Sequence, residues 1–317
     1  MPLGSQEVTN LMKALIKICS FLTTLMTAVL VPMTSYGGAS VKFRHVMSIY
    51  ADDKGLGLKQ PEGVACSEKS FLLVADTGNG RLLRYIFQNN ALETGAEEIK
   101  VPQLSYPVRA QMNSKGQIYV LDGKQRRIIR LTPAGEFKDY LDPTGLPSPA
   151  SYVPRSFTID VDDNLYILDI LSRRVLVLSP KGEYQRHIKF PENYGFFSDL
   201  TIDIKGNLLL IDSTNAMVFS TAKDSVKFAP LANKMKQYMR FPTSITTDER
   251  GRIYLVDRNG SRIIILGQDG SFLGRLSGFG WKEGLLNHPS HICINSKGDV
   301  FIADTSNSRI QIFSVVE

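Results

Sequence analysis

The sequence predicts an all-β fold, a six-bladed β-propeller of four-stranded blades closed by an N-terminal strand that completes the last blade. Three observations carry this. One frame of residues recurs six times, its apolar runs have the length of strands, and the chain starts with an extra strand where its last repeat lacks one. The frame opens with Pro61-Glu-Gly-Val-Ala, continues with Leu72-Leu-Val-Ala-Asp76 and then gives Arg81-Leu-Leu-Arg-Tyr. It returns as Pro107, Asp122 and Arg127; as Pro154, Asp169 and Arg174; as Pro242, Asp257 and Arg262; and as Pro289, Asp304 and Arg309. A weaker fourth copy has Phe197, Asp212 and Met217 at these positions. Marker to Asp is 15 residues in every copy, and Asp to the Arg position is 5. Repeats of about 46 residues made of short strands indicate propeller blades.

Ahead of the repeats, Lys13 and Lys17 precede an uncharged apolar stretch over 18–31, then Pro32 and the small residues around Gly37, Gly38 and Ala39. Positive, apolar and small, in that order, predicts a signal peptide over 1–39. Cleavage is the preferred reading, with an uncleaved membrane anchor as the alternative, so the propeller is expected over 40–317 and outside the cytoplasm, in the periplasm or secreted. The next segment, 41–50, reads as a strand without a blade. The last repeat stops after its third strand, so the two complete each other and remove the open edges. Within each unit, continuous runs such as Ile253-Tyr-Leu-Val256 and Ile263-Ile-Ile-Leu266 lie between turn signals such as Gln268-Asp-Gly270. Such runs mark strands covered on both faces.

Composition removes several alternatives. With 43% hydrophobic and 21% charged residues, the chain is an ordinary globular one. A net charge of +6 over 317 residues forces no polyanionic partner, and nucleic acid is not expected. Three cysteines exclude a cysteine-built scaffold. Cys66 and Cys293 occupy first strands of blades that meet at the closure, at positions of opposite parity, and are expected to be buried free thiols.

The Pro-x-Gly-Val-Ala opening, the apolar run ending in Asp and the Arg five residues later resemble the NHL repeat, whose family builds six-bladed propellers. The stretch from Gly278 through Gly280 and Gly284 to Pro289 resembles the glycine-spaced connection between blades of that family. The resemblance spans 41–317 and implies the fold more than a function. The family includes peptide-amidating lyases, RNA- and protein-binding modules and receptor sensor domains. Its lyases hold a metal with histidines from several blades. Here only His291 takes an axial position, while His45 falls in the N-terminal strand and His187 in an outer strand, so no tetrahedral zinc site is expected. No cofactor is predicted. A hard cation held by Glu62, Asp199 and carbonyl oxygens remains as the one metal alternative.

The repeated Asp76, Asp122, Asp169, Asp212, Asp257 and Asp304, with Arg81, Arg127, Arg174, Arg262 and Arg309, are read as structural. They recur around the ring, whereas a catalytic constellation occurs once, and a carboxylate at a strand end can hold turn N–H groups and the Arg opposite. Residues that differ at equivalent positions are more informative. Two past the marker stand Gly63, Arg109, Ser156, Asp199, Ser244 and His291. Arg109, Asp199 and His291 belong to alternate blades and should converge on one mouth, with Glu62 and Arg155 beside them and Trp281 and His288 overhanging the rim. These seven are the candidate ligand-binding residues. His291, Asp199 and Arg109 are also the catalytic candidates, as base, orienter and anion clamp, although a wet channel needs polar lining in any case. The basic group Lys124, Arg126, Arg127 and Arg130 reads as a solvated face. The functional expectation is a monomeric module that binds a protein, peptide or small anionic ligand at the central mouth. The alternative is a propeller enzyme, a lyase or lactone hydrolase.

Overall fold

A computed structural model describes residues 41–67, 70–93, 95–148, 150–233 and 235–316. The predicted signal segment lies outside them. The described residues form six antiparallel sheets, and each innermost strand touches the innermost strands of both neighbours, including Gly63–Cys66 against His291–Ile294 across the seam. Blade 2 shows the standard unit: Pro107–Met112, Ile118–Asp122, Arg127–Leu131 and Phe137–Tyr140, from axis to rim. Blade 6 is completed by the N-terminal strand Lys42–Ile49, which pairs antiparallel with Arg309–Val316 from Lys42 opposite Val316 to Ile49 opposite Ile310. The ring is therefore closed by the chain's own start, as the sequence predicts. Blade 1 differs, because a short hairpin strand, Ala91–Leu92, is inserted before its outer strand Glu97–Ile99, and both pair with Arg81–Gln88.

The second strands explain the continuous apolar runs. Ile118–Asp122, Leu165–Asp169, Leu208–Asp212 and Ile253–Asp257 are buried at every residue. Successive side chains point to opposite faces of a strand, and each face of a blade meets a different neighbour. Leu72 and Val74 pack with Phe301 and Ile312 of blade 6, while Leu73 and Ala75 pack with Val120 and Ile129 of blade 2. One apolar cluster of this kind lies between every adjacent pair of blades among the described residues.

The same alternation corrects the expectation for the cysteines. Cys66 and Cys293 form a disulfide, Cα to Cα 6.0 Å, between the inner strands of blades 1 and 6. Opposite parity counts against a bridge only for residues meant to face one way. Across a blade interface it is required, because Cys66 looks back at blade 6 with Val64 while Cys293 looks forward at blade 1, and both border the apolar cluster between those blades.

The repeated aspartates are fully buried and structural. Asp304 accepts from Asn287 N at 2.7 Å, Arg309 Nε at 2.7 Å, Asn307 Nδ2 at 2.8 Å and Gln311 Nε2 at 2.9 Å. Arg81, Arg174 and Arg262 bond Asp76, Asp169 and Asp257 in the same way, at 2.8 to 3.0 Å. Each Asp also draws in the loop entering its blade, through Lys59 N, Ser105 N, Val153 N, Gly195 N or Arg240 N. Arg127 is the exception to the predicted pairing. It turns outward to Asp142 at 3.1 Å and over the Tyr140 ring, while Asp122 is satisfied by backbone N–H groups of Ser105, Tyr106, Lys124 and Gln125 and needs no guanidinium. In blade 4, where Met217 replaces the arginine, Asn215 Nδ2 still donates to Asp212 at 2.9 Å, as Asn307 does to Asp304.

Two outcomes follow. Asp304→Ala orphans four donors, one of them a buried cation, and should cost about 3–5 kcal/mol, whereas Arg127→Ala, breaking an exposed pair, should cost under about 1 kcal/mol; denaturant titration of both variants checks the contrast, and equal losses would contradict it. Thiol titration of the denatured, unreduced full-length chain should find one free thiol, from Cys19, and Cys66→Ala with Cys293→Ala should lower stability by about 2–5 kcal/mol.

Candidate functional site

The inner strands begin with a local irregularity that builds the site. In blades 2 to 5 the marker residue pairs with the repeated Asp, and the residue two past the marker pairs with the residue before that Asp. Val108, Arg155, Ser198 and Thr243 are thus extra residues, each a β-bulge that re-aims side chains at the strand entrance. Proline suits the marker because the first residue of a strand can go without an N–H donor. With Glu62 and Ser290 at the equivalent places in blades 1 and 6, the bulge residues form the wall of a cavity of about 460 Å³ at one mouth of the ring. Arg109, Ser156, Asp199 and His291, one residue further in, form its floor.

The floor is a buried cluster of mutually hydrogen-bonded side chains. Arg109 Nη1 donates to Asp199 Oδ1 at 2.5 Å and to His291 Nε2 at 2.7 Å. Asp199 also accepts from Ser156 Oγ at 2.6 Å and Ile245 N at 3.0 Å. Gly63 completes this ring because nothing larger fits: a Cβ there would sit 2.7 Å from Val108 O and 3.2 Å from Arg109 Cα. Burial works against the Asp199 carboxylate, but Arg109, His291, the Ser156 hydroxyl and the Ile245 N–H outweigh it and hold its pKa below the usual carboxylate value. His291 moves further. Burial, and then the Arg109 charge, push its pKa down from 6.5 to about 3, so it is neutral. A neutral imidazole has a single lone pair. Two donors face the ring, Arg109 Nη1 toward Nε2 at 2.7 Å and the Val64 N–H toward Nδ1 at 3.4 Å, and the shorter contact takes the lone pair, at Nε2.

Of the seven candidate residues, Glu62, Arg109, Arg155, Asp199 and His291 line the mouth together. Trp281 and His288 lie apart from it. Trp281 is 74% exposed, with its carbonyl accepting from Arg309 Nη1, and His288 borders a separate cavity with Arg240, Asn259 and Phe279. The loop that carries them is tied down by Arg309 and Gln311, which bond the Trp281, Lys282 and Leu285 carbonyls, and so stays with blade 6.

Tyr106, Arg126, Phe196 and Arg258 also line the mouth but were not singled out by sequence reasoning. For Arg258 a signal existed. The residue after the repeated Asp is Thr77, Ser213 and Thr305 in blades 1, 4 and 6, where its hydroxyl donates to the marker carbonyl of the following blade, Pro107, Pro242 or Pro61, at 2.5 to 2.9 Å. In blades 2, 3 and 5 the position holds Gly123, Ile170 and Arg258, none with a hydroxyl, and all three line the mouth. Arg126, assigned to a solvated face, belongs to the rim as well, in a 2–3 turn where its φ is 55°.

The frame, the six sheets and the closure define one architecture. The chain is a six-bladed β-propeller. The family model of the NHL repeat matches residues 286–313, the last copy of the frame. Human NHL repeat-containing protein 3 is 35% identical over 75 residues, which cover 23% of this chain and 22% of that protein, so the match spans about a fifth of the curated relative. Solved structures show the same architecture at far lower identity. Virginiamycin B lyase from Staphylococcus aureus has a TM-score of 0.62 at 14% identity and covers 87% of this chain and 100% of the lyase. A gluconolactonase from Xanthomonas campestris has a TM-score of 0.65 at 12% identity and covers 88% and 91%. At those identities the likeness concerns the fold alone.

The floor predicts an acid response for this propeller. Below the ordinary His pKa of 6.5 the unfolded chain takes up a proton that buried His291 refuses until about pH 3, so native stability falls as the pH drops through that window, by up to about 1.4 kcal/mol per unit. His291→Gln keeps an acceptor for Arg109 without a titrating ring and should flatten the decline between pH 6 and about 4. Thermal melts across this range measure it, and parallel profiles for the two proteins would refute the assignment.

Proposed function

We propose that this protein is an exported, monomeric binding module that holds a small molecule or peptide at the mouth formed by the bulge residues. The observation that carries this reading is the engagement of His291 by Arg109. A general base works with a free lone pair and a pKa near the working pH, whereas His291 spends its lone pair on Arg109 and stays neutral far below neutrality. The polar floor is thus rigid and chemically quiet, as suits recognition, and the sheets beneath the mouth hold its loops without further ordering cost. Export accords with the apolar N-terminal segment and with the disulfide at the seam, since such bonds persist in oxidising compartments.

A divalent cation does not fit the residues present. Among the described residues no group of three His, Cys, Asp or Glu side chains is placed to hold a metal. Asp199 already accepts from three donors, and Glu62 accepts from the Tyr106 hydroxyl at 3.1 Å. The proposed binding mode therefore uses no metal.

The enzyme reading keeps one specific support, the short Arg109–Asp199–His291 cluster on the axis. A substrate that drew Arg109 away would free His291 as a base. The two readings separate in one experiment. Protein passed through a mixture of extracellular metabolites and peptides, desalted and analysed by mass spectrometry should retain a ligand unchanged, and Thr243→Trp, which fills the mouth, should lose it at an unaltered melting temperature. Should Thr243→Trp disturb folding, Val108→Phe serves the same purpose. Retention by both filled variants would overturn the site, and chemical conversion of the ligand that disappears in His291→Ala would establish the enzyme instead.

A further inference from the structure

The mouth carries more positive charge than its sequence candidates suggest, and the excess is unpaired. Arg126, Arg155 and Arg258 come from blades 2, 3 and 5 and line the same cavity. Their formation is local: Arg126 stands in the 2–3 turn of blade 2, Arg155 is the bulge residue of blade 3, and Arg258 takes the position that a hydroxyl latch occupies in blades 1, 4 and 6. Among the described residues several other arginines are neutralised. Arg81, Arg84, Arg130, Arg252 and Arg309 each bond a carboxylate at 2.8 Å or less. Of the mouth arginines only Arg109 does so, with Asp199. Arg155 is engaged by a ring instead, with its guanidinium 5.4 Å from the centre of Phe196.

Against these three cations the cavity wall offers one further carboxylate, Glu62, which is occupied by Tyr106. Beneath them Arg109 Nε is buried and has no hydrogen-bond partner. The Ser198, Thr243 and Ser290 hydroxyls of the wall donate to the Pro242, Ser290 and Glu62 carbonyls, and Tyr106, Ile170 and Phe196 add exposed apolar surface at the rim. Guanidinium groups recognise planar or tetrahedral oxyanions with paired N–H donors. Three of them converging from separate blades match several anionic oxygens on one compact molecule better than a single charge, and the cavity has the volume of a small-molecule site.

We infer that the mouth is an oxyanion receptor whose ligand is a compact molecule bearing two or more carboxylate or phosphate groups, held by Arg126, Arg155 and Arg258 above the Arg109 floor. This rests on the mouth being the ligand site and names the chemistry of what enters it. Carboxylate and phosphate ligands share the recognition, so both are tested as probes, pyrophosphate and citrate, with glucose as a neutral control.

Calorimetric titration of the folded, disulfide-intact protein should show one site for at least one of the two anions and none for glucose. Arg155→Gln and Arg258→Gln should each weaken it about tenfold or more, their combination should weaken it further, and raising salt from 50 to 300 mM should lower the affinity of the parent more than that of the double variant. Both side chains reach solvent at the mouth, so the melting temperatures should stay unchanged, and Lys297→Gln, in a turn between first and second strands, serves as the neutral comparison. Should either arginine variant unfold, Arg126→Gln supplies an independent measurement. No binding of either anion at millimolar concentration, or binding insensitive to all three arginine variants, overturns the inference. So does a single-stranded oligoribonucleotide that binds far more tightly than pyrophosphate with a salt slope of many charges. Recovery of a neutral ligand that Thr243→Trp excludes would remove the oxyanion chemistry while leaving the mouth as the binding site.

Discussion

Every blade is a sheet with two apolar faces, and that constraint governs the molecule. The second strands are buried throughout, so a blade left at the end of a row would expose an entire face to water. A ring removes the ends. The cost of closure is that first and last blades, hundreds of residues apart in the chain, must find each other, and this seam carries extra fastenings. Lys42–Ile49 supplies the outer strand of blade 6, the Cys66–Cys293 bridge joins the inner strands, and Thr305 donates across the seam to the Pro61 carbonyl. Strand, covalent bond and hydroxyl all fasten the closure.

Closure also creates the site. Six inner strands converge on one axis, where space is so limited that Gly63 admits no side chain and its neighbours must be small or mutually bonded. Charged groups survive there only as a set. Arg109, Asp199, His291 and Ser156 satisfy one another in a place where any one alone would bear the full cost of leaving water. The bulges one residue outward turn a second ring of side chains toward the opening, where solvent permits unpaired charge. Depth along the axis thus divides the mouth into a neutralised floor and a cationic rim.

Much of this was legible in the residues. Constant spacing from marker to Asp fixed the blade unit, and the surplus strand at the start identified the closure. Five of seven candidate side chains met at the mouth because equivalent positions in a closed ring share one radius and height. The two failures came from a connecting loop. Trp281 and His288 follow no repeat position, and their placement depends on Arg309 and Gln311 holding the loop's carbonyls, a long-range arrangement that spacing does not encode. Arg127 departed from its predicted partner for a related reason: Asp122 had already collected enough backbone donors.

The cysteines show where sequence reasoning stops. Alternation along each strand is a local property and was read correctly, but its meaning reversed once two strands faced each other from adjacent blades, since facing residues must then have opposite parity. Sequence by itself determined the repeat, the strand lengths, the buried aspartates and the closed ring, because these follow from periodicity and from the need to cover both faces of a sheet. Only the tertiary structure decided which thiols meet, that His291 yields its lone pair to Arg109, and which arginines remain unpaired at the mouth, because these depend on distances between groups brought together by closure and on water excluded from the axis.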